Sequence, residues 1–535
     1  MGLMPLAWYP TLLAAAAAVF TYFAGSWVLS NRRSKYFPPG PPTAWVLGNA
    51  LQIPLNKAFL KFHEWKDTYG DIIGLKIGPQ NMVILSSAEH VRELFEKRGA
   101  IYSDRPQPYI TSSLITPGAI LFMKNDQTIK KTRTALRYLL GPADLRRILT
   151  AQAAQSALLM RQILESPQDF HKHLKYWALA TSFSIISGQK VVESGTASSD
   201  SYYAAQDKWL EFLTPTQAPP VDLFPVLKYL PHFLAGWKRE AAALSLTLRK
   251  IRYHMLDGAK IQHTSIENGL RSTENESLLT KLMRDGEQSK DIRFGDRELA
   301  LFGAGTLDAA VDTTMSTTSS IILVMAAYPE VQKRIQAEVD SIWQDEVPGP
   351  EEITKAKYLK ACMTETMRWR PAAPSGGPRV LASDDTYRGF KFVKGTTFLA
   401  NVWSLHMDEE WYDKPEEFRP ERYLDNQWGV KPSMAAAAES ENRRPTYNFG
   451  AGRRICPGID YAENQVLITV AKLAWEFDII PKGRLDVTVE TGYHSNLVMG
   501  PKPFAADFIP RSEGKKKKIL EDSANGEKVI AAWVG

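Results

Sequence analysis

Apolar positions fall into three patterns along this chain. From Leu6 to Leu29 there is no charged residue and most positions are apolar, a run of 24 residues. As a helix this run is about 36 Å long, enough to cross a bilayer. Trp8 and Tyr9 lie near one end and Trp27 near the other, and Arg32, Arg33 and Lys35 follow at once. Aromatic rings at both edges and basic residues after the run predict a single-pass anchor with the rest of the chain in the cytoplasm. In a eukaryote the membrane is the endoplasmic reticulum. A cleaved leader is the rival reading. The run Ala14–Ala18 helps it, and the lack of basic residues ahead of the apolar stretch weakens it.

The second pattern is helical and covers most of the chain. Leu299 to Leu323 reads as one long helix of small and apolar residues. Leu359, Cys362, Met363 and Met367 form an apolar stripe on a helix that ends before Pro371. The third pattern is strand-like and short, near Met82–Leu85, Tyr387–Phe392 and Thr397–Ala400. Between these lie segments without periodicity. Pro38-Pro39-Gly40-Pro41-Pro42 is stiff and cannot be helical. A proline- and glycine-bearing loop runs from Ile101 to Gly118, a length that is uncommon and often functional. Leu213 to Trp237 carries five prolines among apolar residues and reads as a broken, membrane-facing segment. Asn268–Arg293 and Ser433–Arg444 are polar and read as solvated connections. The expected organisation is an anchor over residues 1–30, a basic and proline-rich hinge over 31–45, one domain over 46–511 and a basic, disordered tail over 512–535.

Composition adds exclusions. The chain has 535 residues, 44% hydrophobic and 23% charged, which is ordinary for a globular protein. The net charge of +6 is modest, and no nucleic-acid motif accompanies it. There are two cysteines, Cys362 and Cys456, so no disulfide framework beyond one bridge is possible and no CxxC zinc pair exists. Neither His406 nor His494 has partner spacing for a metal. No G-x-G-x-x-G stretch offers an NAD or flavin site, so any electrons must come from a partner protein.

The chemistry concentrates in Tyr447-Asn448-Phe449-Gly450-Ala451-Gly452-Arg453-Arg454-Ile455-Cys456-Pro457-Gly458. Gly452 and Gly458 allow tight turns and close approach to a flat cofactor. Cys456 stands where an N-cap would, with Pro457 at the first helical position. A helix N-terminus stabilises a thiolate. Phe449 is placed to pack near the sulfur, and Arg454 to meet a propionate. The set suits a thiolate ligand to haem iron, and such a ligand favours O–O cleavage. The long helix contains Ala309-Ala310-Val311-Asp312-Thr313-Thr314. A buried acid is costly unless it has a task. The Thr313 hydroxyl can bond back to the Ala309 carbonyl, four residues earlier, and open a groove. Glu365 and Arg368 share one helix face, and Phe418-Arg419-Pro420-Glu421-Arg422-Tyr423 follows downstream.

The pattern F-x-x-G-x-R-x-C-x-G is met at every fixed position, and the chain resembles the cytochrome P-450 superfamily from about Pro38 to Arg511. The segments around Tyr102–Pro106, Pro371–Arg379 and Phe418–Tyr423 resemble fungal microsomal members of the O-methylsterigmatocystin oxidoreductase type. The resemblance implies a mainly α fold with small β-sheets, an N-terminal transmembrane helix and haem b (iron protoporphyrin IX). It makes Cys456 the iron ligand, with Phe449, Arg454, Arg379 and Arg133 around the cofactor. Asp312 and Thr313 become the catalytic proton relay, and Glu365, Arg368 and Arg422 a buried structural triad. Two departures stand out. Ala310 replaces a usual glycine, and Ile129 replaces the tryptophan of the W-x-x-x-R pattern that ends on Arg133, so that Lys130 is a candidate substitute. The implied activity is monooxygenation of a small apolar organic substrate by dioxygen, in fungal secondary metabolism or xenobiotic oxidation. NADPH–cytochrome P-450 reductase is the implied electron donor. A haem-thiolate lyase or isomerase acting on a peroxide, and a non-catalytic haem-binding membrane scaffold, are the alternatives. Candidate substrate contacts are Tyr109, Ile110, Phe302, Ala309, Pro374 and Val498.

Overall fold

The Asp296–Ala327 helix is wrapped by the helices Phe170–Ser187, Gly236–Glu267, Pro329–Trp343, Lys357–Trp369 and Ile459–Glu476. It is longer than the expected Leu299–Leu323. Glu298 reaches back to the Gly295 N–H at 2.9 Å, and Asp296 and Glu298 complement the positive helix start. Pro329 ends it. Gly303 and Gly305 allow close packing, since a Cβ would meet Leu279 at 2.8 Å and Ile120 at 2.9 Å. These facts come from a computed structural model that describes residues 9–191, 198–214, 218–495 and 497–534.

The architecture is mainly α with small sheets. The strands are β1 (Ile72–Ile77), β2 (Gln80–Leu85), β3 (Arg379–Val380), β4 (Asp385–Tyr387), β5 (Phe390–Phe392) and β6 (Thr397–Ala400). Near the C-terminus follow β7 (Phe477–Pro481), β8 (Tyr493–Ser495), β9 (Met499–Pro501) and β10 (Ala506–Pro510). One four-stranded sheet has the order β1-β2-β6-β3, with β2 and β6 parallel. The expected strand over Tyr387–Phe392 is instead the β4–β5 hairpin. Arg388 and Gly389 both take positive φ, as a two-residue turn of this kind requires.

The N-terminal helix covers Tyr9–Ser30; Leu6, Ala7 and Trp8 of the expected anchor lie outside the described residues. Its C-terminal end is tied to the body. Trp27 Nε1 donates to the Val46 carbonyl at 2.7 Å, and the Trp27 ring stacks on Phe224 at 5.7 Å. The proline hinge is fixed against the sheet. Arg33 donates to the carbonyls of Gly40, Pro41 and Gly74, and a Cβ on Gly40 would meet the Gly74 oxygen at 2.2 Å.

Two polar segments are more ordered than their composition suggested. Within the expected connection 268–293, Leu278–Gln288 is a helix that buries Leu278, Leu279 and Leu282. The C-terminal segment 512–535, expected to be disordered, is a helix over Glu513–Val534 packed on the Pro142–Glu165 helix. Ile519, Ser523, Gly526, Ile530 and Trp533 are its buried residues. Their spacing of four and three alternately is a coiled-coil seam. Ser523 and Gly526 hide it from a hydrophobicity reading, yet small residues there let the helices approach: a Cβ on Gly526 would meet the Ala154 carbonyl at 2.8 Å. Arg147 stacks over Trp533 at 4.8 Å. Trp533→Ala is expected to lower stability by about 3 kcal/mol or more, measured by chemical denaturation; a dangling tail would show no change.

Candidate active site

The cysteine loop is built by two glycines and one cross-loop bond. The Cys456 N–H donates to the Phe449 carbonyl at 3.0 Å, and Gly450 and Gly452 take φ of +72° and +59°. A Cβ on Gly452 would meet the Phe95 carbonyl at 1.9 Å, so no other residue fits there. The helix after the loop begins at Ile459 with Gly458 as its N-cap. Cys456 therefore lies two residues ahead of the N-cap and does not occupy it, because Pro457 and Gly458 form a separate turn. Burial pushes the Cys456 thiol up, while the Gly458 N–H and the Arg133 charge pull it toward the thiolate.

Four guanidinium groups gather at this loop. Arg133 Nη2 donates to the Ile455 carbonyl at 2.8 Å, and Arg379 Nη2 to the Ala451 carbonyl. Arg454 donates to the carbonyls of Ser103 (2.9 Å) and Met123 (2.6 Å). Arg105 Nη1 donates to the Pro378 carbonyl. None of the four forms an ion pair with a described residue. Burial, then Arg454 and Arg133, pull Arg105 down to about 10. Burial, then Arg133, bring Arg454 to about 10 against the opposing pull of Asp104 and Asp126. Burial, then Arg105 and Arg454, hold Arg379 well below its ordinary value. A guanidinium does not release its proton in a protein, so the repulsion calls for an anion. Arg379 Nη1 and Arg105 Nε are buried without partners. The residues fit a flat cofactor that carries two carboxylates. Arg105 is the member that the sequence did not single out. Lys130 is exposed, while Ile129 is buried on the same helix.

The triad is assembled. Arg368 clamps Glu365 through two bonds of 2.7 Å, and Arg422 Nε donates to Glu365 Oε1 at 3.2 Å. All three side chains are buried. Burial works against the Arg368 charge, but Glu365 outweighs it and holds the guanidinium above its ordinary value. Arg368 also donates to the His406 carbonyl at 2.9 Å, and His406 Nε2 accepts the Tyr447 N–H at 2.8 Å. His406 thus links the triad to the start of the cysteine loop. Burial, then Arg368 and Arg443, keep its ring neutral.

On the central helix Thr313 Oγ1 donates to the Ala309 carbonyl at 2.7 Å. Asp312 is buried and accepts from Gln206 Nε2 at 3.2 Å. Burial raises its pKa, and the Gln206 donation opposes this. Gly305, Asp308, Ala309 and Thr313 keep accessible surface although the helix is enclosed by the body. That surface is the wall of an interior groove. Ser316 bonds the Met499 carbonyl, the Met499 N–H bonds the Ala372 carbonyl, and the Ala372 N–H bonds Asn448 Oδ1. This chain of bonds couples the helix to the cysteine loop. A cleft of about 350 Å³ opens beside the N-terminal part of the central helix, lined by Gly118, Ile120, Met123, Leu301 and Phe302. Of the other expected substrate contacts, Ile110 and Pro374 are buried, while Tyr109 and Val498 are partly exposed.

A family model for cytochrome P450 matches residues 38–508. The chain belongs to the cytochrome P450 family. It is 33% identical to a cytochrome P450 monooxygenase of Arthrobotrys oligospora, over 95% of either chain. It is also 33% identical to one of a Penicillium species, over 92% of this chain and 91% of that one. A solved zebra fish cytochrome P450 with progesterone is similar in fold, with a TM-score of 0.69, 22% identity and coverage of 85% of this chain and 99% of that one. This P450 is accordingly a monooxygenase that uses haem iron, dioxygen and a redox partner. Arg379→Met is expected to release haem roughly tenfold faster, since one charge-assisted bond is lost. Transfer to apomyoglobin measures this, and an unchanged rate would contradict the assignment.

Proposed function

We propose that this P450 is a membrane-anchored haem-thiolate monooxygenase. It inserts one oxygen atom into a small, largely apolar organic substrate, with electrons from NADPH supplied by NADPH–cytochrome P-450 reductase. The observation that carries the reading is the joint presence of three parts: Cys456 in a glycine-shaped loop, four guanidiniums beside it with no ion pair among the described residues, and the Asp312–Thr313 pair along the interior groove. Haem b fits this set. Cys456 would ligate its iron, Phe449 would shield the sulfur, and Arg105, Arg133, Arg379 and Arg454 would hold its two carboxylates. When bound, the group supplies the redox chemistry that splits dioxygen.

The chain supplies positioning and protons. Thr313 gives its hydroxyl hydrogen to Ala309, so its oxygen lone pairs are free to hold a water in the groove. Asp312 lies where the charges of Lys175 and Asp207, both exposed, reach it. Its carboxylate passes protons from the solvent side to the water on Thr313 Oγ1. Two protons and two electrons convert the second oxygen atom to water. The acid–threonine pair weighs against a peroxide lyase or isomerase, which needs no such delivery.

Lipid contact is supported by what clusters at the end of the N-terminal helix. Trp45 and Tyr229 are 83% and 85% exposed, and Leu51, Val226 and Phe233 are exposed with them. Trp27–Phe224 stacking and the Gln80 bond to the Asp222 carbonyl tie these segments together. An apolar face of this kind suits the surface of the endoplasmic reticulum, with the Tyr9–Ser30 helix as the anchor and the catalytic domain cytosolic. The role in secondary metabolism or xenobiotic oxidation rests on the resemblance to the fungal microsomal type.

Reconstituted with the reductase and 7-ethoxycoumarin, lauric acid or progesterone as probes, the enzyme is expected to consume NADPH and dioxygen and to place one atom from ¹⁸O₂ in the product. Thr313→Ala is expected to lower product per NADPH by roughly tenfold or more while peroxide release rises. Turnover of a hydroperoxide without NADPH, with coupling unchanged in Thr313→Ala, would overturn the reading.

A further inference from the structure

One turn before Asp312 the central helix carries a second acid, Asp308. The two are met by residues one turn apart on the Ser199–Leu213 helix. Tyr202 OH donates to Asp308 Oδ1 at 3.3 Å, and Gln206 donates to Asp312. The two acids differ in what else faces them. Asp312 is buried, and the charges of Lys175 and Asp207 act on it. Asp308 keeps accessible surface next to Ala309 on the groove wall, and its second oxygen has no partner among the described residues.

On the Gly236–Glu267 helix, which packs against the central helix, lies Arg252. It is 91% buried, being 9% exposed, and makes no hydrogen bond or ion pair with a described residue. Its charge and that of Asp308 act on each other, yet the two stay beyond ion-pairing distance. Burial raises the Asp308 carboxyl to about 7, Arg252 lowers it and Asp312 raises it. A buried cation and a half-buried acid that couple without touching are an incomplete pair. A single hydroxyl completes it, because its hydrogen can go to Asp308 and its lone pairs can accept from Arg252. A bare hydrocarbon leaves Arg252 and the second Asp308 oxygen without that partner.

We propose that Asp308, with Tyr202 and Arg252 beside it, is the specificity-determining anchor of the substrate groove and takes a hydroxyl group, alcohol or phenol, on an otherwise apolar substrate. The proposal rests on the monooxygenase reading and refines its substrate class. It places Asp308 in substrate binding and leaves proton delivery to Asp312.

The test titrates full-length holoenzyme with matched pairs that differ by one hydroxyl: benzene and phenol, naphthalene and 2-naphthol, anthracene and 2-anthrol. Affinity is read from the substrate-induced Soret shift. Wild type is expected to bind the hydroxylated member of at least one pair about tenfold tighter, Asp308→Leu to bring the members within about twofold, and Asp308→Asn to fall between. No preference in wild type for any pair, or a preference retained in both variants, overturns the proposal. The reduced carbon-monoxide spectrum of each sample separates the two readings. A thiolate-type band without hydroxyl preference fails this proposal alone, whereas its absence in wild type fails the monooxygenase reading and this one with it.

Discussion

Four guanidinium groups converge beside Cys456, and none has a carboxylate partner among the described residues. Arg379 is buried, and Arg105, Arg133 and Arg454 are half-buried. The nearby acids are committed elsewhere. Asp126 caps a helix through the Thr128 and Ile129 N–H groups, Asp104 accepts from the Arg105 and Asn125 N–H groups, and Glu96 pairs with Arg444. Like charges gathered in a low-dielectric site repel strongly. The protein bears that cost because backbone carbonyls pin each side chain. The same geometry leaves donors without partners, ready for an anion. The arrangement explains why the cysteine loop, the 101–124 segment, β3 and the Gln127–Leu139 helix meet at one place. Each brings one arginine or the carbonyls that hold it.

A site of this kind needs a stiff support. The Glu365–Arg368–Arg422 triad is ionic and buried, and it bonds to the carbonyls of His406, Pro415 and Lys414. Buried ion pairs contribute little net stability, but removing one partner strands the others. The value of the triad here is positional. It fixes the segment that delivers His406 to Tyr447, and Tyr447 opens the turn that ends on Cys456. The distal side is held separately, by the bonds from Ser316 through Met499 and Ala372 to Asn448. The triad and the central helix are thus both bonded to the same loop.

Most of this was legible in the sequence where local chemistry dictates local geometry. The glycines of the cysteine loop, the back-bond from Thr313 to Ala309 and the spacing of Glu365 and Arg368 are short-range features. They appear in the structure as read, except that Gly450 takes the second positive φ beside Gly452, while Gly458 caps the following helix at a φ of −101°. The failures share a cause, which is long-range packing. The C-terminal seam from Ile519 to Trp533 uses Ser523 and Gly526, residues that score as polar or flexible. The Leu278–Gln288 helix hides three buried leucines among charges. Arg105 lies in an irregular segment and His406 ends the five-residue helix Val402–His406, too short for a period to mark it, and only tertiary contacts bring them to the site. Asp308 was within reach, because two acids one turn apart in an apolar helix are a costly pattern that asks for a reason.

The central claim is that Cys456 ligates haem iron within this arginine-lined site. The reduced, carbon-monoxide difference spectrum of the purified full-length protein, taken beside Cys456→Ser, tests it most directly. The account predicts a strongly red-shifted Soret band in wild type and its loss in the variant. A folded wild type with no haem, or with the unshifted band of a histidine-ligated haem, would contradict it.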